Sequence, residues 1–140
     1  NFNIAMVDEA IRLCPEPLVT LQAECHPYLD QSKVIEACRQ RGLVLTAYCP
    51  LARGRLAGDP VLAEIAHRTG KTFAQVALRW LMQQKIIAAI PRSSNAKRIA
   101  ENLDVFDFEL SDDDMRRIGA LKRPDGRIAN PIGRAPVWDA

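Results

Sequence analysis

The chain has 140 residues, of which 48% are apolar and 26% are charged, and its formal net charge is +2. This length and composition are typical of one ordinary globular domain. The charge is too small to indicate a protein that binds nucleic acid or an anionic membrane surface. No apolar run approaches the roughly 18 residues that a membrane span needs.

Two helix patterns alternate with two strand patterns in the first third of the chain. A helical pattern over 4–14 is followed by an apolar segment over 18–23, which predicts a short buried strand. A second helical pattern over 30–42 ends at Gly42, a typical helix stop. The stretch 43–51 then predicts a second buried strand.

The rest of the chain continues this alternation. Two amphipathic helices are predicted over 59–70 and 72–85, with Asp59 and Thr72 as their N-caps. They are followed, in order, by a strand over 86–91, helices over 95–106 and 111–121, and a polar tail over 122–140.

Short apolar strands that alternate with helices of 10 to 15 residues indicate βαβ units and a parallel sheet. Because the strands are apolar almost throughout, we expect both faces of the sheet to be covered. Polar or small residues follow each strand, at 24–26, 48–50 and 92–94. Ligands of α/β folds bind at the carboxyl ends of the strands, so these three junctions form the candidate site.

The third junction, IPRSSNAKRIAEN at 90–102, has the composition of an anion-binding site. A helix N-terminus offers free N–H groups and the positive end of the helix dipole. Ser93 and Ser94 add hydroxyl donors, while Arg92 and Arg98 add positive charge that suits a phosphate group. The spacing alone also fits an N-cap serine followed by a solvated, charged helix.

The helix that follows carries two different faces. Arg98, Glu101 and Asn102 are spaced by three and four residues, so they share one face that is able to meet a nucleotide. Ile99 and Leu103 point elsewhere, and we expect them to face the core.

Cysteine and histidine usage limits the metal and redox chemistry of the chain. The four cysteines are Cys14, Cys25, Cys38 and Cys49. They form none of the close pairs of zinc sites, and secreted disulfide-rich domains have a higher cysteine density. We therefore expect free thiols, no metal site and a reducing cytoplasm.

Five stretches in order carry a resemblance to a known family. They are QAECHPYLDQ at 22–31, LTAYCPLARG at 45–54, KTFAQVALRW at 71–80, IPRSSNAKRIAEN at 90–102 and VFDFELSDDDMRRI at 105–118. Together they resemble the C-terminal part of the aldo-keto reductases. The tail, DGRIANPIGRAPVWD at 125–139, is most similar to the bacterial 2,5-diketo-D-gluconate reductase branch.

The resemblance implies an α/β fold, the parallel β/α (TIM) barrel of eight strands, which binds NADP(H) at its C-terminal mouth. It implies that residues 1–121 supply strands six to eight with their helices, and that 122–140 form a C-terminal loop near the substrate pocket. The implied reaction is hydride transfer from NADPH to a small-molecule aldehyde or ketone. The diketogluconate branch points to a keto sugar acid.

The resemblance also assigns roles at the two ends of the cofactor. Asn1 and Gln22 would hydrogen-bond the nicotinamide carboxamide, Tyr48 would stack on the nicotinamide ring, and Trp138 would form a wall of the substrate pocket. The other matches are Cys49, Pro50 and Leu51 at the pyrophosphate, Arg92, Ser93, Ser94 and Arg98 at the adenosine 2′-phosphate, and Glu101 and Asn102 at adenine. Two arginines around one phosphate favour NADPH over NADH.

The family's catalytic tyrosine, lysine, aspartate and histidine come from the N-terminal half of its barrel and have no match here. Tyr28 matches no catalytic position, and His26 is interpreted as a strand-end residue. We therefore expect the chain alone to be inactive and to be a fragment of a longer reductase. Three parallel strands leave two unpaired edges, so we expect it to need the missing half or a second copy.

Two other functions stay open at this point. The chain is also compatible with a non-catalytic binding module that senses NADPH, as in some relatives of the family. A thiol hydrolase would use Cys25 or Cys49 with His26, but the sequence has no local signature of such enzymes and no orienting acid.

Overall fold

The structure, a computed structural model, describes residues 1–139. Its elements are α1 (Ile4–Leu13), β1 (Thr20–Glu24), α2 (Ser32–Gln40), β2 (Val44–Tyr48), a 3-10 turn (Ala52–Gly54), α3 (Pro60–Thr69), α4 (Phe73–Met82), β3 (Ile87–Ala89), α5 (Ala96–Leu103) and α6 (Asp112–Gly119). This order confirms the predicted alternation of helices and strands. Residues 122–139 contain neither a helix nor a strand.

The strands form one parallel sheet in the order β1-β2-β3. Glu24 at the end of β1 lies opposite Tyr48 at the end of β2. The predicted parallel sheet is therefore confirmed. Its carboxyl ends share one edge, which brings the first two predicted junctions close together.

The helix starts follow local side-chain chemistry. Asp59 accepts hydrogen bonds from the backbone nitrogens of Val61 and Leu62, at 3.0 and 3.2 Å, and Thr72 forms a capping box with Gln75. Both predicted N-caps are confirmed. At α5 the N-cap is Asn95 rather than a serine, because its side chain accepts from the backbone nitrogen of Arg98 at 3.0 Å.

Helices cover only one face of the sheet. Leu21, Ala23 and Leu45 on that face belong to a buried core cluster. On the other face Thr20 and Gln22 are exposed, and Val44 is 38% exposed. The prediction that both faces are covered is wrong for the described residues, because side chains alternate between faces and only every second residue meets a helix.

The apolar stripe of α5 is also uncovered. Ile99 is 53% exposed and Leu103 is 72% exposed, and no residue of α5 is buried. The expectation that these two residues face the core is therefore wrong in this chain. Helical periodicity identifies an apolar stripe, but it carries no information on which element packs against the stripe.

Within the part of the chain that the structure describes, none of the helices combines the length and the apolar character that crossing a membrane would require.

Candidate functional site

Three of the predicted residues meet at the carboxyl ends of β1 and β2. The amino group of Asn1 donates to the backbone oxygen of Gln22 at 2.5 Å, and the Tyr48 hydroxyl donates to Asn1 Oδ1 at 2.6 Å. Burial raises the pKa of Tyr48, and the charge of Glu24 acts in the same direction. At neutral pH the Tyr48 hydroxyl is therefore protonated, and its half-buried ring lies at the carboxyl end of β2.

The loop after β2 has an unusual backbone. Cys49, Ala52 and Arg53 have φ angles of 50°, 48° and 52°. Residues other than glycine rarely adopt this left-handed backbone conformation. A hydrogen bond of 2.8 Å from the Ala52 nitrogen to the Cys49 oxygen closes the turn. Such backbone conformations persist where the surroundings fix them, often at functional sites.

Two adjoining cavities follow this loop. The smaller, about 370 Å³, is lined by Cys49, Pro50, Leu51, Arg53, Ile90, Pro91 and Arg92. The larger, about 530 Å³, is lined by the loop and the start of α4 on one side and by Arg92, Ser93, Ser94, Arg98, Glu101 and Asn102 on the other. Leu51, Arg53 and Arg92 line both. The structure thus brings together all the residues predicted to bind pyrophosphate and adenosine.

The two cavities, which we call the arginine cavity, carry positive charge that no other described residue neutralises. Among residues 1–139, no carboxylate lies within ion-pair distance of Arg53, Arg92 or Arg98. By contrast, Arg41 pairs with Asp8 at 2.6 Å. Sequence reasoning missed Arg53, and the signal for it was only its place in the loop after β2.

At the start of α5, some polar groups of the arginine cavity already have hydrogen-bond partners and others do not. The Ser93 hydroxyl accepts from the Asn95 nitrogen at 3.1 Å, so it is used locally. Ser94 is exposed and forms no hydrogen bond with the described residues. Among the described residues, Ser94, Asn102 and the three arginines therefore keep side-chain donors without a partner.

A buried carboxylate that sequence reasoning missed lies at the end of β1. Glu24 is fully buried and accepts from His26 Nε2 at 2.9 Å and from the backbone nitrogens of Ile128 and Ala129, both at 2.7 Å. We call these four residues the Glu24 cluster. A signal was present, because Glu24 is the only charged residue between 18 and 28, next to an apolar strand.

The Glu24 cluster fixes the C-terminal segment on the sheet. Gly126 passes so close to Tyr28 that a Cβ atom on it would lie 1.9 Å from the Tyr28 backbone oxygen. Farther along, Trp138 Nε1 donates to Asn130 Oδ1 at 2.8 Å, and the Arg127 guanidinium lies 3.7 Å from the centre of the Trp138 ring. The predicted substrate-wall residue is therefore held in place, with a cation stacked on it.

The described structure does not pair a reactive cysteine with His26. All four cysteines are free, and Cys25 is fully buried. Burial raises the pKa of Cys25 to about 12, so this thiol stays protonated at neutral pH. His26 directs Nε2 to Glu24 instead. Among residues 1–139, no group of histidines, cysteines and carboxylates has an arrangement that suits a metal ion.

A family model for the aldo/keto reductase family matches residues 1–123. The chain belongs to the aldo/keto reductase family. Among curated members of this family, aldo-keto reductase family 1 member A1 of Xenopus tropicalis is 42% identical over 133 residues, covering 88% of this chain and 40% of that protein. The oxidoreductase YtbE of Bacillus subtilis is 43% identical over 121 residues, covering 86% of this chain and 43% of that protein.

Solved structures of the family superpose closely on the chain. A protein assigned as a 2,5-diketo-D-gluconic acid reductase B is 48% identical with a TM-score of 0.97, and the match covers all of this chain and 50% of that one. A mutant of Gox0644 in complex with NADPH is 35% identical with a TM-score of 0.87, over 93% of this chain and 48% of that one. The aldo-keto reductase barrel fold is therefore supported, and the chain spans about two fifths of its curated relatives.

Proposed function

We propose that this chain binds NADP(H) as part of a reductase that transfers hydride from NADPH to an aldehyde or ketone. The observation that carries the proposal is the arginine cavity, where three guanidinium groups that pair with no carboxylate of residues 1–139 surround space for a phosphorylated nucleotide. The Gox0644 mutant, whose fold superposes on this chain, was solved with NADPH. We further propose a cytoplasmic location, which the free thiols support.

The cofactor follows the carboxyl edge of the sheet. Arg92 and Arg98 bind the 2′-phosphate, because guanidinium groups form paired, charge-assisted hydrogen bonds with phosphate oxygens. Cys49, Pro50 and Leu51 lie along the pyrophosphate, and Glu101 and Asn102 lie at adenine. At the other end Tyr48 stacks on the nicotinamide, beside Asn1 and Gln22.

The chain supplies binding groups rather than the proton donor for the carbonyl oxygen. The Tyr28 hydroxyl donates to Asp59 Oδ2 at 2.7 Å. Burial, and to a smaller extent this hydrogen bond, raises the pKa of Tyr28 to about 12. Tyr48 is used for stacking. We propose that residues 1–121 form strands six to eight of the barrel. The catalytic residues, and the elements that cover the open sheet edges, belong to the rest of a longer polypeptide or to a second copy.

The nature of the substrate follows from the same assignment. The structural relative assigned as a 2,5-diketo-D-gluconic acid reductase B supports a keto sugar acid as substrate. We propose that residues 122–140, of which 122–139 are described, form the loop beside that substrate.

Substitution of Arg98 tests the cofactor assignment. In this chain, together with the rest of the polypeptide where the natural protein is longer, Arg98→Ala should weaken NADPH binding by about 1.5–3 kcal/mol, which is roughly 10- to 100-fold. Binding of NADH, which has no 2′-phosphate, should change far less. Both affinities are measured by isothermal titration calorimetry.

Arg116→Ala is the matched control, because it removes the same charge from an exposed helix position paired with Asp113 at 2.7 Å, away from the arginine cavity. It should leave both affinities unchanged. Equal losses for NADPH and NADH in Arg98→Ala would show that Arg98 does not bind the 2′-phosphate, and absence of NADPH binding in the unsubstituted protein would refute the proposal.

The groups of the arginine cavity would equally serve a second candidate, a non-catalytic module that senses NADPH. The two functions separate in one assay of the natural protein. A reductase oxidises bound NADPH when a small aldehyde such as glyceraldehyde is added, and a sensor binds NADPH with the same preference but leaves it reduced.

A further inference from the structure

Helix α5 carries much of the proposed adenosine site, but the core does not hold this helix in place. Arg98, Glu101 and Asn102 line the arginine cavity from α5. The helix has 8 residues, none of them buried, and its apolar stripe is exposed. Because so short a helix has little stability of its own, contacts outside its faces must fix it on the molecule.

The C-terminal end of α5 is held by side chains from the start of α4. Lys71 Nζ donates to Asp104 Oδ2 at 2.9 Å. Gln75 Nε2 donates to the Asp104 backbone oxygen at 2.8 Å and to its Oδ2 at 3.1 Å. Lys71 also donates to Asp107 Oδ2 at 2.7 Å. Asp104 is the C-cap of α5, so three of these four bonds act on the helix terminus. We call Lys71, Gln75 and Asp104 the α4–α5 contact.

The α4–α5 contact joins the two walls of the arginine cavity. On the α4 side, Gln75 is buried, and its Oε1 accepts from the backbone nitrogen of Thr72 at 2.9 Å. Thr72 and the two residues after it line the cavity. On the α5 side, the Asp104 nitrogen donates to the Glu101 oxygen at 3.2 Å. The side chain of Gln75 therefore bonds to a residue of one wall and to the end of the helix that forms the other.

The α4–α5 contact is more rigid than an ordinary surface ion pair. The Lys71 side chain is only 13% exposed, and its Nζ lies 5.3 Å from the centre of the Phe108 ring. By contrast, Lys97 on α5 is 86% exposed and lies 3.9 Å from Glu101. Exposed pairs of the second kind stay mobile and contribute little. A lysine that has little contact with water and binds two carboxylates has far fewer alternative positions.

We propose that Lys71 and Gln75 are positioning residues for the cofactor, which hold α5 at the distance from α4 at which Arg98 meets the 2′-phosphate. Neither residue lines the arginine cavity, so both act through Asp104. A paired guanidinium–phosphate contact needs close alignment, and a shift of α5 therefore weakens it. The preference for NADPH over NADH thus depends on the α4–α5 contact as well as on Arg98. This inference rests on the proposed function.

A double-mutant cycle in the natural protein tests the proposal, with both cofactor affinities measured by isothermal titration calorimetry. Lys71→Met should weaken NADPH binding by about three- to tenfold and NADH binding by less, because only NADPH has the group that Arg98 binds. In the Arg98→Ala background, Lys71→Met should weaken both cofactors alike, since the arginine that it positions is gone. Lys71→Arg, which keeps the cation and its donors, should retain most of the preference for NADPH.

Arg117→Met is the matched control. Arg117 joins α6 to α3, because its Nη1 donates to Glu64 Oε1 at 3.0 Å, and it lies outside the arginine cavity. The substitution also removes an ion pair between two helices, but it should leave the ratio of the NADPH and NADH affinities unchanged. The inference is overturned if Lys71→Met leaves this ratio unchanged, or if its effect on the ratio is equally large in the Arg98→Ala background.

Asp104→Asn is a milder variant that keeps the test available if Lys71→Met does not fold. It removes the charge that Lys71 binds but keeps a side-chain oxygen, so the affinity ratio should fall by less than in Lys71→Met. An unchanged ratio in this variant overturns the inference too. Absence of NADPH binding in the unsubstituted protein refutes the proposed function and this inference together. NADPH binding that depends on Arg98 but not on Lys71 refutes this inference alone.

Discussion

The Glu24 cluster and the arginine cavity carry charge at the same edge of the sheet, but in opposite environments. Glu24 is 0% exposed and accepts three N–H donors, whereas Arg53, Arg92 and Arg98 are exposed and have no carboxylate partner among residues 1–139. A buried charge is tolerated only when its hydrogen bonds are complete, so Glu24 is an internal anchor. Exposed, unpaired charges around a cavity are available to a ligand.

The comparison also separates what each region contributes to stability. Exposed charges contribute little to folding, because water screens them and their side chains stay mobile. A buried carboxylate that joins residue 24 to residues 128 and 129 holds distant parts of the chain together. Substitutions in the Glu24 cluster should therefore alter folding, and substitution of Arg53, Arg92 or Arg98 should alter ligand affinity alone.

The largest effect is expected for Glu24→Ala. The change leaves the Ile128 and Ala129 nitrogens and His26 without their acceptor, so the free energy of unfolding should fall by about 3 kcal/mol or more. Urea denaturation measures this loss, and hydrogen exchange should show that the Ile128 and Ala129 amides lose protection first. Glu16→Ala, at an exposed glutamate, is the control and should be nearly neutral.

A loss below about 0.5 kcal/mol in Glu24→Ala would contradict the role of this residue as an anchor. Unchanged protection of the two amides would do so independently, because it would mean that other contacts hold the C-terminal segment.

Protonation of Glu24 at low pH should also lower the free energy of unfolding, but by less than Glu24→Ala does. Burial acts to raise the pKa of Glu24, but hydrogen bonds from His26, Ala129 and Ile128 outweigh it, so the pKa lies below its ordinary 4.5. The stabilisation from this group is therefore complete above pH 4.5 and is lost as the pH falls through the lower folded-state pKa.

The urea midpoint, measured between about pH 6 and 3, should thus fall more steeply for the unsubstituted protein than for Glu24→Gln, which does not titrate. The difference between the two curves isolates Glu24 from the other acidic groups. Parallel curves would show that protonation of Glu24 is not linked to folding.

The order of the elements and much of the arginine cavity could be predicted from the sequence, because both depend on local patterns. Asp59 and Thr72 cap helices through bonds to residues two or three positions ahead, which spacing reveals. Arg92 and Arg98 lie in one short segment at a strand end, so the sheet topology alone brings them to the cavity.

The Glu24 cluster could not be predicted in the same way. Two of the three partners of Glu24 lie 104 and 105 residues away and are backbone amides, which every residue other than proline has, so no side-chain pattern marks them. The open face of the sheet and the exposed stripe of α5 escaped prediction for a related reason. An apolar residue shows that burial is favourable, but not which surface provides it.

The smallest effect is expected for Arg53→Ala, which tests how the arginine cavity divides its charge. Arg53 lies on the loop after β2 and lines both parts of the cavity, so it is placed for the pyrophosphate rather than for the 2′-phosphate alone. Because it is exposed, its loss should weaken binding only about two- to fivefold. NADPH and NADH share the pyrophosphate, so the binding of both cofactors should weaken equally.

Arg55→Ala, on the same loop but outside both cavities, should change neither affinity. A loss confined to NADPH would instead place Arg53 with Arg92 and Arg98 at the 2′-phosphate, and the phosphate-binding part of the cavity would then contain all three arginines.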